Sequence, residues 1–323
     1  MTPELSQLPP VCASVLDFLT QHRRFLVLGH TDPDGDCVGS QLGLALGLRR
    51  LGKAVIVANE GPFDRQEIRS YAERFTQFAV DPNDFDAVVV LDCSTVDRIG
   101  LYQSAIVDKP VAVIDHHTSG TPFGDVRFVH PDIPATAMLV YTIICELAGA
   151  PSTEEAQLLF LGIATDTGFF RFVDEGSDLV FQVAAALTRA GASPRAVDTA
   201  INSGRSLASR YLIARMIDRV EVMGNQDALL TYQTRKDERE FGTRRDSDAL
   251  YRLLLQVERV RVLVVVKERA NGCAISFRST DDIDVGEIAA EFGGGGHPKA
   301  AGAFISDDLN GVLDTLRERL ELL

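Results

Sequence analysis

The sequence predicts an α/β protein: a doubly wound, largely parallel sheet, then a smaller α/β domain built on a mixed sheet. Two observations carry this. From Phe25 onward, short β-branched runs alternate with segments of helical periodicity, the order of βαβ units in an open sheet. Most of those runs lack period-2 alternation, which marks strands covered on both faces. The expected strands are Phe25–Gly29, Ala54–Asn59, Ala87–Asp92, Val111–His117 and Asp125–Val129. Val38–Leu51 carries apolar residues at helical spacing and stops at Gly52, a C-cap signal. Ala135–Gly149, Ser152–Ile163 and Ser177–Gly191 are further helices, the last closing on Ala192-Ser193-Pro194. After Pro194 the character shifts. A polar helical connector, Arg195–Arg219, leads to strands at Ala228–Gln233, Val260–Lys267 and Cys273–Arg278, a Gly-rich loop and a final helix, Leu309–Leu322. The expected domains are residues 1–194 and 223–323, joined by a linker at 195–222.

A chain of 323 residues, 46% hydrophobic and 24% charged, has room for two cores and the composition of an ordinary globular protein. No apolar run approaches the ~18 residues of a transmembrane helix. Met1-Thr2-Pro3-Glu4 does not open a signal peptide. Five scattered cysteines without a Cys-x-x-Cys pair read as reduced thiols of a cytoplasmic protein. With 46 acids against 32 bases the net charge is −14. Such a surface repels long polyanions, so no long nucleic acid and no membrane are expected as partners. A small anionic substrate held by metal ions and local cations is compatible with it.

Four of the six histidines fall in unusual contexts. His30-Thr31-Asp32-Pro33-Asp34-Gly35-Asp36 directly follows the first strand, on the crest where open α/β sheets bind ligands. A solvated Asp/Pro/Gly turn is the bland reading. A calcium loop fails, because Cys37 and Gly43 stand where Gly and Glu are needed. Ala87–Asp92 is an apolar strand ending in one carboxylate, and Val111–His117 ends in Asp115, His116 and His117. Asp166 ends a helix, where the macrodipole opposes a carboxylate and a cation would compensate. Together the segments offer His30, Asp34, Asp36, Asp92, His116 and Asp166, a carboxylate and imidazole set suited to Mn²⁺, Fe²⁺, Zn²⁺ or Mg²⁺. Gly47-x-x-x-x-Gly52-Lys53 imitates a P-loop, but Ala54 follows it and it lies at a helix end.

In order and spacing, His30-x-x-x-Asp34-x-Asp36, Leu91-Asp92, Asp115-His116-His117 and Thr165-Asp166-Thr167-Gly168 resemble motifs I to IV of the DHH phosphoesterases. Phe292–Gly302, with Gly294, Gly295, Gly296 and His297, is similar to the signature of the DHH-associated domain, and Ser276-Phe277-Arg278-Ser279 to the strand before it. The resemblance covers most of the chain and is nearest to the branch that cleaves very short RNA and 3′-phosphoadenosine 5′-phosphate. It implies two divalent metal ions, Mn²⁺ first, with Mg²⁺, Fe²⁺ or Co²⁺ as alternatives. His30, Asp34 and Asp92 would hold one ion; Asp36, Asp92, His116 and Asp166 would hold the other. His117 would lie beside the substrate phosphate as a catalytic residue, with Asp115 orienting a histidine. Arg278, Ser279, Gly294, Gly295, Gly296 and His297 would bind substrate.

The expected function is therefore hydrolysis of very short oligonucleotides and nucleotide bisphosphates such as 3′-phosphoadenosine 5′-phosphate. A cyclic or linear dinucleotide phosphodiesterase of the c-di-AMP or pApA type is the alternative. A family II pyrophosphatase would carry a Lys/Arg-rich motif in place of the Gly-rich loop. A non-catalytic nucleotide-binding scaffold would have lost metal ligands, and all six are present.

Overall fold

The β-branched runs of the N-terminal half form strands β1 Arg24–Leu28, β2 Ala54–Val57, β3 Ala87–Leu91, β4 Val111–Asp115 and β5 Val126–Val129. They pair in parallel in the order β2-β1-β3-β4-β5. The computed structural model describes residues 8–117, 120–242 and 247–322; the first four residues lie outside them. The chain divides into two compact units, one ending at Gly204 and the other starting at Arg205. Every expected strand of the first unit is present, with ends displaced by at most two residues. The displacement falls mostly at carboxyl ends, where the chain leaves the sheet to build a loop; Asp92, for example, has φ +55.

Continuous apolar sequence in β3 and β4 reflects burial at every position. On one face, Phe25, Val27, Val89 and Ile114 pack with residues of helices α1 Ala13–Gln21, α2 Gly35–Arg50, α3 Thr136–Ala148, α4 Thr153–Asp166 and α5 Asp178–Arg189. On the other, Leu26, Leu28, Val88, Val90 and Val113 pack with Phe85, Ile99, Tyr102 and Ala105. The last three belong to 3₁₀ turns within Val96–Ile106. Among the described residues, this second face of the expected doubly wound sheet is thus covered by short turns and not by α-helices. Helix α2 begins three residues before the expected Val38, because Asp34 caps it by accepting hydrogen bonds from the N–H groups of Asp36 and Cys37, both at 3.0 Å. Helix α4 starts from a Ser152–Glu155 capping box and runs three residues past the expected Ile163, to Asp166.

Of the stretch 195–222, helix α6 Pro194–Asn202 lies in the first unit, while α7 Leu207–Asp218 lies in the second. The second unit continues with β6 Glu221–Met223, β7 Ala228–Gln233, α8 Arg235–Phe241, α9 Ser247–Leu254, β8 Val262–Arg269, β9 Gly272–Ser279, α10 Val285–Glu291, β10 Gly295–His297, β11 Ala300–Ile305 and α11 Leu309–Leu320. Its sheet runs β10-β11-β9-β8-β7-β6, antiparallel except for β7 with β8. The Gly-rich segment expected as a loop is the outer arm of a hairpin, with His297 opposite Ala300 and Gly295 opposite Gly302. Glycine is poor in strands by propensity, and backbone pairing to β11 overrides it.

Candidate metal centre

The strand order β2-β1-β3 reverses direction between β1 and β3, and the crevice beyond the carboxyl ends at such a switch point is where ligands bind in open α/β sheets. His30 follows β1, Asp92 follows β3, Asp115 ends β4, and His116 and His117 follow it. Asp92 is the centre of the group. Its carboxylate lies 3.5 Å from His30 Nε2, 3.5 Å from His116 Nε2 and 3.8 Å from His117 Nδ1. Thr136 Oγ1 donates to it at 3.0 Å. Burial pushes the Asp92 carboxyl up, but the three imidazoles outweigh it and hold it below the ordinary range.

Two rings are oriented alike. His30 Nδ1 lies 2.8 Å from Thr31 O and His116 Nδ1 lies 3.1 Å from Ile133 O. A carbonyl only accepts, so each Nδ1 carries hydrogen and each Nε2 keeps its lone pair when the ring is neutral. Both Nε2 atoms face carboxylates, that of His116 lying 3.1 Å from Asp166. Burial disfavours charge on His116, yet Asp166, Asp36 and Asp92 push it up to about 10. His117 differs, since its Nδ1 is bound to Asp115 Oδ1 at 2.7 Å. The same oxygen accepts the backbone N–H groups of His116 and His117. Asp115 thus fixes the turn that carries both rings.

Asp36 is fully buried and accepts N–H bonds from Thr136 at 2.6 Å and Ala137 at 2.9 Å, at the start of α3. Burial, then Asp92 and Asp166, push its carboxyl well up. Burial likewise pushes the Asp166 carboxyl up, and Asp92 and Asp34 add to this against the pull of His116. The expected donors His30, Asp36, Asp92, His116 and Asp166 therefore converge, and Asp34 borders them with Oδ1 4.0 Å from His30 Nε2. Four carboxylates sharing a largely buried crevice are short of positive charge. Their hard oxygens and two outward-keyed imidazoles fit divalent cations.

In the second unit, Arg278 rests its guanidinium 4.7 Å from the centre of the Tyr251 ring and donates to Phe277 O at 2.8 Å. Ala300 pairs with both Arg278 and His297, so these two side chains share one face of the sheet, two strands apart. Ser279 is the next residue of β9 and faces the other side, buried in a turn contact with Asp281. The structure does not bring it to the face of Arg278.

With this geometry in place, comparison with known proteins is informative. The model of the DHH family N-terminal domain matches residues 24–163, and that of the DHHA1 domain matches residues 230–322. Over 302 residues the chain is 32% identical to the bifunctional oligoribonuclease and PAP phosphatase NrnA of Thermus thermophilus, covering 90% of this chain and 88% of that one. The chain belongs to the DHH family. The protein of the same description from Bacillus subtilis is 23% identical, with 90% of each chain covered. Among solved structures, an exopolyphosphatase-related protein from Bacteroides fragilis superposes with a TM-score of 0.84 at 22% identity, over 95% of this chain and 94% of that one. A RecJ exonuclease bound to manganese gives 0.53 at 17%, over 96% and 92%, and speaks for the fold alone.

Several residues of this DHH centre were not legible as such. Thr136 touches both Asp92 and Asp36. Asn59 Nδ2 donates to His30 O at 3.0 Å, tying the residues after β2 to the loop after β1, and Gln41 Nε2 of α2 donates to Ala58 O at 3.1 Å. Cys37 lies with His30 and Asp92 in one group of donor atoms. Only Thr136 had a sequence signal, its place at a helix start behind Pro134-Ala135, where N–H groups meet anions.

Proposed function

We propose that this DHH protein is a cytoplasmic two-metal phosphoesterase acting on very short oligonucleotides and on 3′-phosphoadenosine 5′-phosphate. The observation that carries the reading is the convergence of four expected donors, His30, Asp36, His116 and Asp166, around Asp92 at the sheet's switch point. The substrate class is supported by relatives, named for those two activities, that match some nine-tenths of the chain.

In this reading His30, Asp34 and Asp92 would hold one ion, and Asp36, Asp92, His116 and Asp166 would hold the other. Bound there, two divalent ions would supply Lewis-acid charge to a phosphoryl oxygen and lower the pKa of water. The chain's own residues do the rest. Asp115 fixes His117 through Nδ1, leaving Nε2 to bind a phosphoryl oxygen or pass it a proton. Its hydrogen bond to Asp115 raises the His117 imidazole above its ordinary value, which favours the charged, proton-donating form. In the second unit, Arg278 and His297 are the candidate phosphate-binding side chains.

The test is turnover by the Mn²⁺-loaded protein of a mixed-sequence trinucleotide RNA, 3′-phosphoadenosine 5′-phosphate, pApA, a cyclic dinucleotide and pyrophosphate. Hydrolysis of the first two is expected. Cleavage of the cyclic dinucleotide or pyrophosphate alone would overturn the reading.

A further inference from the structure

Beyond Asp166, the chain enters a turn whose aromatic residues the centre leaves unexplained. Thr167 Oγ1 donates to Ile163 O and accepts from Phe170 N, and the N–H groups of Phe169 and Phe172 reach back to Ala164 O at 2.6 Å and Thr167 O at 3.1 Å. Phe169 and Phe170 have φ of +56 and +68. The left-handed region is an outlier for bulky residues, and such strain persists only where the surroundings over-determine it. Here they do. Phe170 packs edge-on to Phe160 and Phe169 and stacks on Phe181 at 5.3 Å, and Phe169 and Phe170 both lie against the core of the first unit.

This anchoring holds the next two side chains outward. Phe172 is 70% exposed. Its ring lies across Gly168, where a Cβ would come within 2.4 Å of Cε2. Arg171 Nε donates to Gly168 O at 2.8 Å, and its guanidinium sits 5.3 Å from the Phe172 ring centre. Single exposed aromatics are common and need no explanation. A ring held out by a strained, packed turn and flanked by a clamped guanidinium is a built surface. Gly168 is two residues from Asp166, so the Cα atoms are at most ~8 Å apart.

We propose that Phe172 and Arg171 form a stacking platform for a nucleobase of the substrate, beside the phosphate bound at the metal centre. The proposal rests on the phosphoesterase reading above. A flat π-system with electron-rich ring atoms complements both an aromatic face and a guanidinium, and base-on-aromatic stacking tolerates any base. The platform selects nucleotides over other phosphoesters without selecting sequence.

The test uses the full chain and a 5′-phosphorylated 2-aminopurine dinucleotide with a non-hydrolysable methylenephosphonate linkage. Stacking on Phe172 quenches the probe's fluorescence. Phe172→Ala and Phe172→Leu are expected to abolish the quench, and Phe172→Trp to keep it. In parallel, the kcat/KM ratio of a base-bearing dinucleotide over its abasic counterpart should fall ~10-fold or more in Phe172→Ala and return in Phe172→Trp. An unchanged quench and ratio in Phe172→Ala and Phe172→Leu would overturn the platform. If wild-type protein quenches the probe but hydrolyses neither dinucleotide, the platform stands and the phosphoesterase reading fails.

Discussion

Asp92 faces three imidazoles while its backbone holds φ +55, a conformation that Asp tolerates better than most residues. Replacing it by Asn keeps the shape and one acceptor for Thr136 but removes the shared charge. Asp92→Asn should lose more than ~100-fold in turnover, beyond the ~10–100-fold that loss of a supporting partner costs. Bound manganese, measured by elemental analysis, should fall, with the circular dichroism spectrum unchanged. Retained metal and activity would remove Asp92 from the centre. The adjacent histidines separate the roles further. His116 Nε2 faces Asp92 and Asp166, whereas His117 is held through Nδ1 by Asp115. His116→Ala should therefore lose metal, while His117→Ala keeps its metal and loses turnover; the reverse pattern would exchange their assignments.

At the scale of elements, the centre depends on how closely α2 approaches α4. Gly35, Gly39, Gly43 and Gly47 recur every four residues along α2, one stripe of the helix. A Cβ at Gly39 would come within 2.4 Å of Leu158 O, which is backbone and cannot move aside. The approach brings Asp36 of α2 beside Asp166 of α4. Gly39→Ala should destabilise the first unit by ~1–3 kcal/mol, lowering its melting temperature and weakening manganese binding together; an unchanged melting temperature would show that the helices have slack. In the second unit, Asp237 completes the capping box of α8 with the N-cap residue Thr234. Burial pushes its carboxyl up, but Arg219 and the N–H and hydroxyl of Thr234 outweigh it and hold it at about 2, against an ordinary value of 3.8. A depressed pKa contributes stability that is fully present above the unfolded value and is lost as pH falls through the folded one. Asp237→Asn should cost about 3 kcal/mol at pH 7. In urea titrations the gap between variant and parent should narrow from pH 4 towards pH 2, and a constant gap would contradict the assignment. The sequence exposed the strands and the acids and histidines behind them, because burial on both faces leaves unbroken apolar runs that a polar residue visibly ends. It marked the helix start at Thr136 but hid its partner Asp36, 100 positions away, and it hid what the α2 stripe packs on, since which helix meets a glycine is a tertiary fact. The hairpin at Gly295–His297 was hidden because glycine gives no strand signal. The opposite facing of Arg278 and Ser279 follows from alternation once β9 is known to continue through Ser279.

On the scale of the whole molecule, the candidate metal donors belong to the unit that ends at Gly204, while Arg278 and His297 belong to the one that starts at Arg205. Each unit has cores of its own, built around Phe25, Val89 and Ile114 in one and around Val264, Phe277 and Leu316 in the other. Metal binding therefore has an address. An ion that binds only the folded first unit stabilises it by RT ln(1 + [L]/Kd), about 2.7 kcal/mol at a hundredfold excess over Kd. Hydrogen exchange with and without Mn²⁺ reads this segment by segment. Protection should rise in β1, the start of α2, the ends of β3 and β4 and the start of α3, where Thr136 and Ala137 donate to Asp36. Segments β7, β8 and β9 should exchange as before. A non-hydrolysable dinucleotide added with the metal should then protect the Arg278 strand and the Gly295–His297 hairpin if, as proposed, Arg278 and His297 bind a phosphate. Protection of β9 by Mn²⁺ alone would place an ion in the second unit and end the division of labour between metal centre and nucleotide grip.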